Sequence, residues 1–230
     1  MSDPATAGPS HRERVRRQTL AEIRVHALAQ IDEGGPTALS LKAIAKELGM
    51  SGPAMYRYFD SRDDLVAVIV AECYEELAAA LETAARAARR RGAPGRLRAV
   101  ADAFRAWGLE RPNRYRLVFG STYGSGALDP ERIVPAAQTA MTVVLAALAD
   151  VAPSPPPGVR DPALARQLAA WAARTPSQPA YATGVLQQGL IAWTQMHGLV
   201  SLEIEGALGQ TGVDPGRLYA AQLDAILATT

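Results

Sequence analysis

Residues 40–65, SLKAIAKELGMSGPAMYRYFDSRDDL, place a helix start, a stop and two further starts in close succession, which leaves the chain few ways to fold there. In the first pattern Leu41, Ile44, Ala45 and Leu48 recur at helical spacing, Ser40 stands at the N-cap position, and Gly49 supplies the left-handed residue that ends the helix. In the second, Ser51 caps, Pro53 sits in the first turn where its missing N–H costs nothing, and Met55 and Phe59 point inward at i and i+4. Tyr56, Arg57 and Tyr58 are left facing out. A helix of fewer than two turns does not hold itself together in water, so its neighbours must hold it for the sake of those outward side chains. That is the logic of a helix-turn-helix reading head.

The rest of the chain must then supply a scaffold. Its 230 residues suffice for one large or two small domains, and 48% hydrophobic with 20% charged residues allows a sizeable core. Alanine is abundant and no convincing run alternates with period two, so the expected class is all-α. A formal charge of +1 and a pI near 7.9 neither demand nor exclude a nucleic-acid partner, so any basic footprint has to be local. One cysteine, Cys73, rules out an internal disulfide, and the polar start and lack of a long apolar run lead us to expect a soluble, cytoplasmic protein without membrane contact.

Taken in order, residues 1–10 are rich in Pro, Gly, Ser and Thr and are expected to be a disordered tail. A helix begins near His11 with Leu20, Ile23, Ala27 and Ile31 as its apolar stripe, and Gly34-Gly35-Pro36 ends it. Its leading end carries Arg12, Arg14, Arg16 and Arg17, a cluster equally compatible with a solvated helix end and with contact to a phosphate backbone or minor groove. After the reading head, Ser61 and Asp64 form an S-x-x-D capping box for a long helix through Leu65, Ile69, Cys73, Leu77 and Leu81. The expected division is 11–60 for the helix-turn-helix domain and 61–230 for a helical regulatory and dimerisation domain.

The order of these features, a first helix ending in Gly, then L-S-L-K-A-I-A-K-E-L-G-M-S, P-A-M-Y-R-Y-F and S-R-D-D-L, resembles the DNA-binding domain of the tetracycline-repressor-like (TetR/AcrR) family over roughly residues 14–70. The resemblance implies that Tyr56 and Tyr58 contact phosphates or bases. It makes Arg57 the candidate for a bidentate contact to guanine, and Ser51, Gly52, Pro53 and Ala54 the close-approach end of the reading helix. The family usually has Lys where this chain has Arg62; the charge is kept, and with it an expected phosphate contact. The chain's only lysines, Lys42 and Lys46, precede the reading helix; Lys42, near a helix start, is expected at a phosphate and Lys46 in solvent. Arg14 and Arg17 complete the expected DNA-binding set.

Beyond residue 90 the landmarks weaken. Pro94 opens a helix with Leu97, Val100, Ala101, Phe104 and Trp107, and Pro112 opens a short one with Tyr115, Leu117, Val118 and Phe119. The segment GSTYGSGALDPE is expected as a loop, followed by a helix from about Glu131 with Val134, Ala137, Met141, Val144, Leu145 and Leu148. The connector APSPPPGVRDP, a short helix with Leu164, Leu168 and Trp171, and the break TPSQP come next. From Ala180 to Leu208 apolar residues cover most of the helix circumference, which implies packing on two sides. With a last helix carrying Tyr219, Leu223 and Ile226, this makes a hairpin that closes a four-helix bundle with the same hairpin of a second subunit. The expected interface is Leu186, Leu190, Val200, Ile204, Tyr219, Leu223 and Ile226. The run W-T-Q-M-H-G-L-V-S-L-E from Trp193 resembles the Trp-His-Gly signature of one branch of the family's C-terminal domains.

Large apolar and amphipathic residues, Phe104, Trp107, Tyr115, Phe119, Met141, Val144, Trp171, Tyr181 and Trp193, together with His197, are candidates for a ligand pocket, although such residues also make ordinary cores. His197 is expected first as a core histidine, and Cys73 as a small core residue. No H-x-x-x-H, C-x-x-C or G-x-S-x-G pattern occurs, so no metal site, cofactor or enzymatic nucleophile is expected. The expectation is therefore a homodimeric repressor that binds a near-palindromic operator and is released by a small apolar or aromatic effector. Two alternatives stand beside it: a DNA-binding dimer without small-molecule control, and a ligand-sequestering or enzymatic helical protein with a vestigial DNA-binding domain.

Overall fold

The Glu13 N–H donates to Ser10 Oγ and the Ser10 N–H donates to the Glu13 carboxylate, so the chain enters its first helix through a reciprocal capping box. The structure, a computed structural model, describes residues 10–120, 128–151, 158–174 and 180–229. The helices in these segments are α1 (His11–Gly34), α2 (Leu41–Glu47), α3 (Gly52–Met55), α4 (Arg62–Ala87) and α5 (Gly92–Glu110). They continue as α6 (Pro112–Phe119), α7 (Pro130–Ala149), α8 (Pro162–Ala173), α9 (Thr183–Ile204) and α10 (Pro215–Thr229). The fold is all-α. Residues 1–9 of the expected N-terminal tail, 121–127 of the GSTYGSGALDPE segment, 152–157 of the Pro-rich connector and the TPSQP break lie outside the described residues, whereas Ser10 caps α1 and Pro130 and Glu131, the last residues of the expected loop segment, begin α7.

The chain divides into two compact units, with residues up to Val70 joined by the segment from Asn113 to Asp129 in one, and Ala71–Pro112 with the residues from Pro130 onward in the other. In the first unit α1 buries Ile23, Ala27 and Ile31 and ends where Gly35 adopts φ 77° and ψ −178°, a region essentially closed to residues with a Cβ. Leu41, Ile44 and Ala45 of α2 are buried, and Ile23, Ile31 and Ile44 are fully so. Two polar ties fix α2 to α1: Gln30 Oε1 accepts from the Ser40 N–H at 2.9 Å, and His26 Nδ1 lies 2.7 Å from Glu47. The short α6 belongs to this unit from Asn113 onward. Arg114 forms a two-pronged bond to Asp32 at 2.8 and 2.6 Å, and Asn113 donates to the Asp32 carbonyl at 2.9 Å. Both partners sit at the end of α1.

In the second unit α5, α7 and α9 pack on one another, α10 lies on α5 and α9, and α8 packs against α9. α7 is long and apolar enough, by length and composition, to cross a membrane, with a mean hydropathy of 1.5. Within the unit Ile133, Ala140, Val144 and Leu148 are almost wholly buried, so that apolarity is accounted for as core. Tyr219 is buried on α10 with its hydroxyl donating to the Ala101 carbonyl at 2.7 Å. Arg105 of α5 reaches Glu203 of α9 through two bonds, at 2.8 and 2.5 Å, while its guanidinium lies 5.8 Å from the Tyr219 ring centre. One ion pair thus joins three helices.

A Cβ on Gly189 would run into the Leu145 side chain, which is completely buried. The glycine is what lets α9 approach α7 so closely. Gly189→Val is expected to destabilise the second unit by about 1–3 kcal/mol through overpacking, read as a shift in the urea midpoint followed by tryptophan fluorescence.

Several apolar positions differ from expectation. Leu186, Val200, Tyr219, Leu223 and Ile226 were expected at a subunit interface but are at most 6% exposed, and Leu190 and Ile204 are half-buried. The stripe that helical spacing picks out faces α5 and α7 of the same chain, because a four-residue period marks an apolar face without saying which partner covers it. The expected pocket residues also divide. Tyr115 and Phe119 belong to the first unit, where their rings meet at 4.8 Å. Phe104, Trp107, Met141, Val144, Trp171, Trp193 and His197 belong to the second.

Candidate nucleic-acid interface

Ser51 starts α3 by accepting from the Ala54 N–H at 3.3 Å, and Pro53 stands in the first turn. The preceding stop is Gly49 at φ 65°, as α2 ends, with Ser40 accepting from the Ala43 N–H at the start of α2. With only four helical residues, α3 is held from below: Met55 and Phe59 are 1% and 3% exposed. After Met55 the chain tightens into i→i+3 bonds, with the Arg57 N–H donating to the Ala54 carbonyl and the Tyr58 N–H to the Met55 carbonyl. This turns the opposite side outward. Ser51, Gly52, Pro53 and Arg57 are exposed, Ala54 and Tyr58 are half-buried, and Tyr56 is 58% exposed.

Two shallow concavities flank this short helix, both within the first unit. On one side, a space of about 500 Å³ is lined by Lys42, Lys46, Gly52 and Tyr56 over a floor of Leu41, Ala45, Met50 and Met55. Lys46, exposed as expected for a residue in solvent, lies on the same side as Lys42, one helical turn on. On the other side, a space of about 440 Å³ lies between α1 and the reading helix, lined by His11, Arg12, Val15 and Arg16 together with Met50, Ala54, Arg57 and Tyr58. The Arg16 guanidinium sits 5.3 Å from the Tyr58 ring centre. Arg14 and Arg17, the expected DNA-binding pair, are exposed but do not line this space; Arg12 and Arg16 do.

Arg62, expected at a phosphate, is engaged within the head itself. Its Nε donates to the Leu39 carbonyl at 3.1 Å and its Nη2 to the Pro36 carbonyl at 2.7 Å, so the side chain braces the turn between α1 and α2. A lysine, with one compact donor group, would not make this fork-shaped tie. At the helix start beside it the Asp64 N–H donates to Ser61 Oγ at 3.0 Å, and the Asp64 carboxylate accepts from the N–H of Asp60. From there α4 continues without interruption to Ala87.

Comparison with known proteins covers both parts of the chain. A family model described as bacterial regulatory proteins, tetR family, matches residues 23–69, and one described as tetracyclin repressor-like, C-terminal domain, matches residues 97–226. The HTH-type transcriptional regulators Rv1816 of Mycobacterium tuberculosis and Mb1846 of Mycobacterium bovis are each 29% identical over 226 residues, covering 93% of this chain and 92% of theirs. The crystal structure of the regulatory protein SCO4313 is 37% identical and superposes with a TM-score of 0.73 over 95% of this chain and all of that one. PfmR, a TetR family transcriptional regulator of Thermus thermophilus, shares the fold at 18% identity, with a TM-score of 0.55 over 90% of this chain and 97% of its own. The reading head, its position ahead of a larger helical unit, and matches running through both units agree: the chain belongs to the TetR family of transcriptional regulators, with that family's DNA-binding domain at its N-terminal end.

Proposed function

We propose that the protein is a homodimeric, ligand-responsive repressor that binds a near-palindromic operator and is not an enzyme. The observation that carries this reading is the reading helix itself, whose Met55 and Phe59 are buried while Tyr56 and Arg57 project between flanks bearing Lys42 and Lys46 on one side and Arg12 and Arg16 on the other. Two such heads on a two-fold axis enter successive major grooves about 34–36 Å apart. Such a partner is met in the cytoplasm. Electrophoretic mobility shift against duplexes enriched from a random-site library tests it, and a specific, salt-sensitive complex is expected.

The dimer surface proposed here is the outer side of the α9–α10 hairpin. Ile191 and Leu202 on α9 are 40% and 49% exposed and share one face with Gly198, where an added Cβ would meet nothing. Leu218 on α10 is 39% exposed, followed at helical spacing by exposed Ala221 and Ala225. An isologous four-helix bundle covers both stripes at once. Placing a glutamate at both Ile191 and Leu202 is expected to yield a monomer at concentrations where the parent protein sediments as a dimer, with helical content retained; a persistent dimer excludes this face.

For the effector we propose the cluster in which Trp171, Tyr181 and Trp193 pack half-buried against Met141, Leu145, Leu168 and Leu186. Burial pushes the Tyr181 hydroxyl up and the nearby-in-sequence His197 imidazole down from their ordinary values, so both stay neutral near pH 7. A flat, apolar molecule with one uncharged polar handle matches that lining. Release of DNA requires only that the effector bind the non-DNA conformation more tightly, and the coupling is reciprocal. The chain passes between the units within α4, after Pro112 at the first residue of α6, and after residue 129, so α6, clamped to Asp32 through Arg114, is a second route for the signal beside α4.

A further inference from the structure

The first two turns of α1, residues 11–18, are exposed throughout, yet they are held helical by the Ser10–Glu13 box and carry His11 and four arginines. Val15, the one apolar side chain among them, is still 47% exposed, so core packing does not account for these turns. They meet the reading head at the Arg16–Tyr58 contact, and Arg12 lies one turn before Arg16 on the same side. The resulting cleft brings Arg12, Arg16 and Arg57 around a space of about 440 Å³ whose lining includes no acidic residue. Arginines stay protonated at any working pH, so charges gathered in this way repel one another until an anion enters. Ala54 lies in the reading helix and Arg57 and Tyr58 in the turns that follow it, so the cleft adjoins the outward face of the reading head.

Resting on the DNA-binding reading above, we propose that this cleft is a phosphate clamp: Arg12, Arg16 and Arg57 hold adjacent phosphodiesters of the DNA backbone, with Tyr58 as the positioning residue for Arg16. The assignment moves Arg57 from base recognition to the backbone and leaves Tyr56, on the opposite flank beside Lys42 and Lys46, as the side chain that meets base edges. It also separates the four N-terminal arginines into two pairs. Arg14 falls about 160° around the helix from both Arg12 and Arg16, and neither Arg14 nor Arg17 lines the cleft.

The test is fluorescence anisotropy of the full-length protein over a range of KCl concentrations, with two probes: the duplex enriched by random-site selection and a duplex of unrelated sequence. Each phosphate contact removed lowers the slope of log K against log salt by about 0.9. The Arg12→Ala/Arg16→Ala variant is therefore expected to lose roughly 2 from the slope per reading head, on both probes alike. Arg16→Lys restores its share of the slope, and Arg14→Ala/Arg17→Ala changes it far less. Arg57→Ala weakens both probes, whereas Tyr56→Ala weakens chiefly the selected one. Inorganic phosphate at matched ionic strength is expected not to compete; competition lost in the Arg12→Ala/Arg16→Ala variant would assign the cleft to free phosphate and overturn the clamp. An unchanged slope in a folded Arg12→Ala/Arg16→Ala variant, or an equal loss from the Arg14/Arg17 pair, overturns it as well. A wild-type protein that binds neither probe overturns the regulator reading itself, a result distinguishable from failure of the clamp alone.

Discussion

Replacing Tyr56 and Arg57 together by alanine is expected to lower affinity for the selected duplex by about 2–4 kcal/mol, roughly 30- to 1000-fold, while circular dichroism and the melting temperature stay within experimental error of the parent. The separation is possible because the two sides of the reading helix do different work. Met55 and Phe59 are at most 3% exposed and hold the helix in place; Tyr56 is 58% exposed and Arg57 is also on the surface, so removing both opens no cavity. Met55→Ala gives the reverse pattern, a loss of stability of about 2–5 kcal/mol that removes DNA binding only through unfolding of the head. If the Tyr56/Arg57 variant binds as the parent does, the outward face is not the reading surface.

A comparable loss on the stability side is expected from Phe104→Ala. Phe104 is completely buried on α5, and its ring meets that of Trp193 on α9 at 5.1 Å with the planes 60° apart. Truncation leaves a cavity where α5 and α9 meet and removes the ring contact, at a cost of about 3–5 kcal/mol. All three tryptophans, Trp107, Trp171 and Trp193, lie in the second unit, so intrinsic tryptophan fluorescence follows that unit alone. Two units also mean that one transition need not describe the whole chain. The expected record is an early fluorescence transition in urea, with DNA-head melting followed separately by hydrogen exchange at α1 and α2. A fluorescence midpoint unchanged by Phe104→Ala would show that the α5–α9 contact does not carry the unit's stability.

The helix-turn-helix was legible because its punctuation is local. Ser40, Gly49, Ser51 and Pro53 each act within a turn of their own position, and each acts in the structure as its chemistry dictates. Most helices of the second unit were legible for the same reason, from a 3.6-residue period bounded by Pro and Gly. What stayed hidden depends on distant partners. The outward side of α9 and α10 was not readable, because the stripe with the stronger period, through Leu186, Val200, Tyr219 and Leu223, is covered within the chain and leaves Ile191, Leu202 and Leu218 outside. The allegiance of α6 rests on Arg114 finding Asp32, 82 residues earlier, and no local pattern announces such a pair. Arg62 shows the same limit, since a charge at a helix start suits a phosphate as well as the carbonyls of Pro36 and Leu39. That Arg12 and Arg16, rather than Arg14 and Arg17, line the cleft beside the reading helix was within reach, because helical phase counted back from Ile23 puts Arg16 and Arg12 on its side. The counting needed only the assumption that α1 stays helical to its first residue, which the Ser10–Glu13 box secures.

Random-site selection with the full-length protein, followed by footprinting of the enriched duplex, tests the central claim most directly. The expected result is a near-palindrome whose half-site centres lie about 10–10.5 base pairs, or a multiple of that, apart on one face of the duplex, protected in a salt-dependent manner and lost in the Tyr56/Arg57 variant. Enrichment of no sequence, or protection that survives that double substitution unchanged, would contradict it.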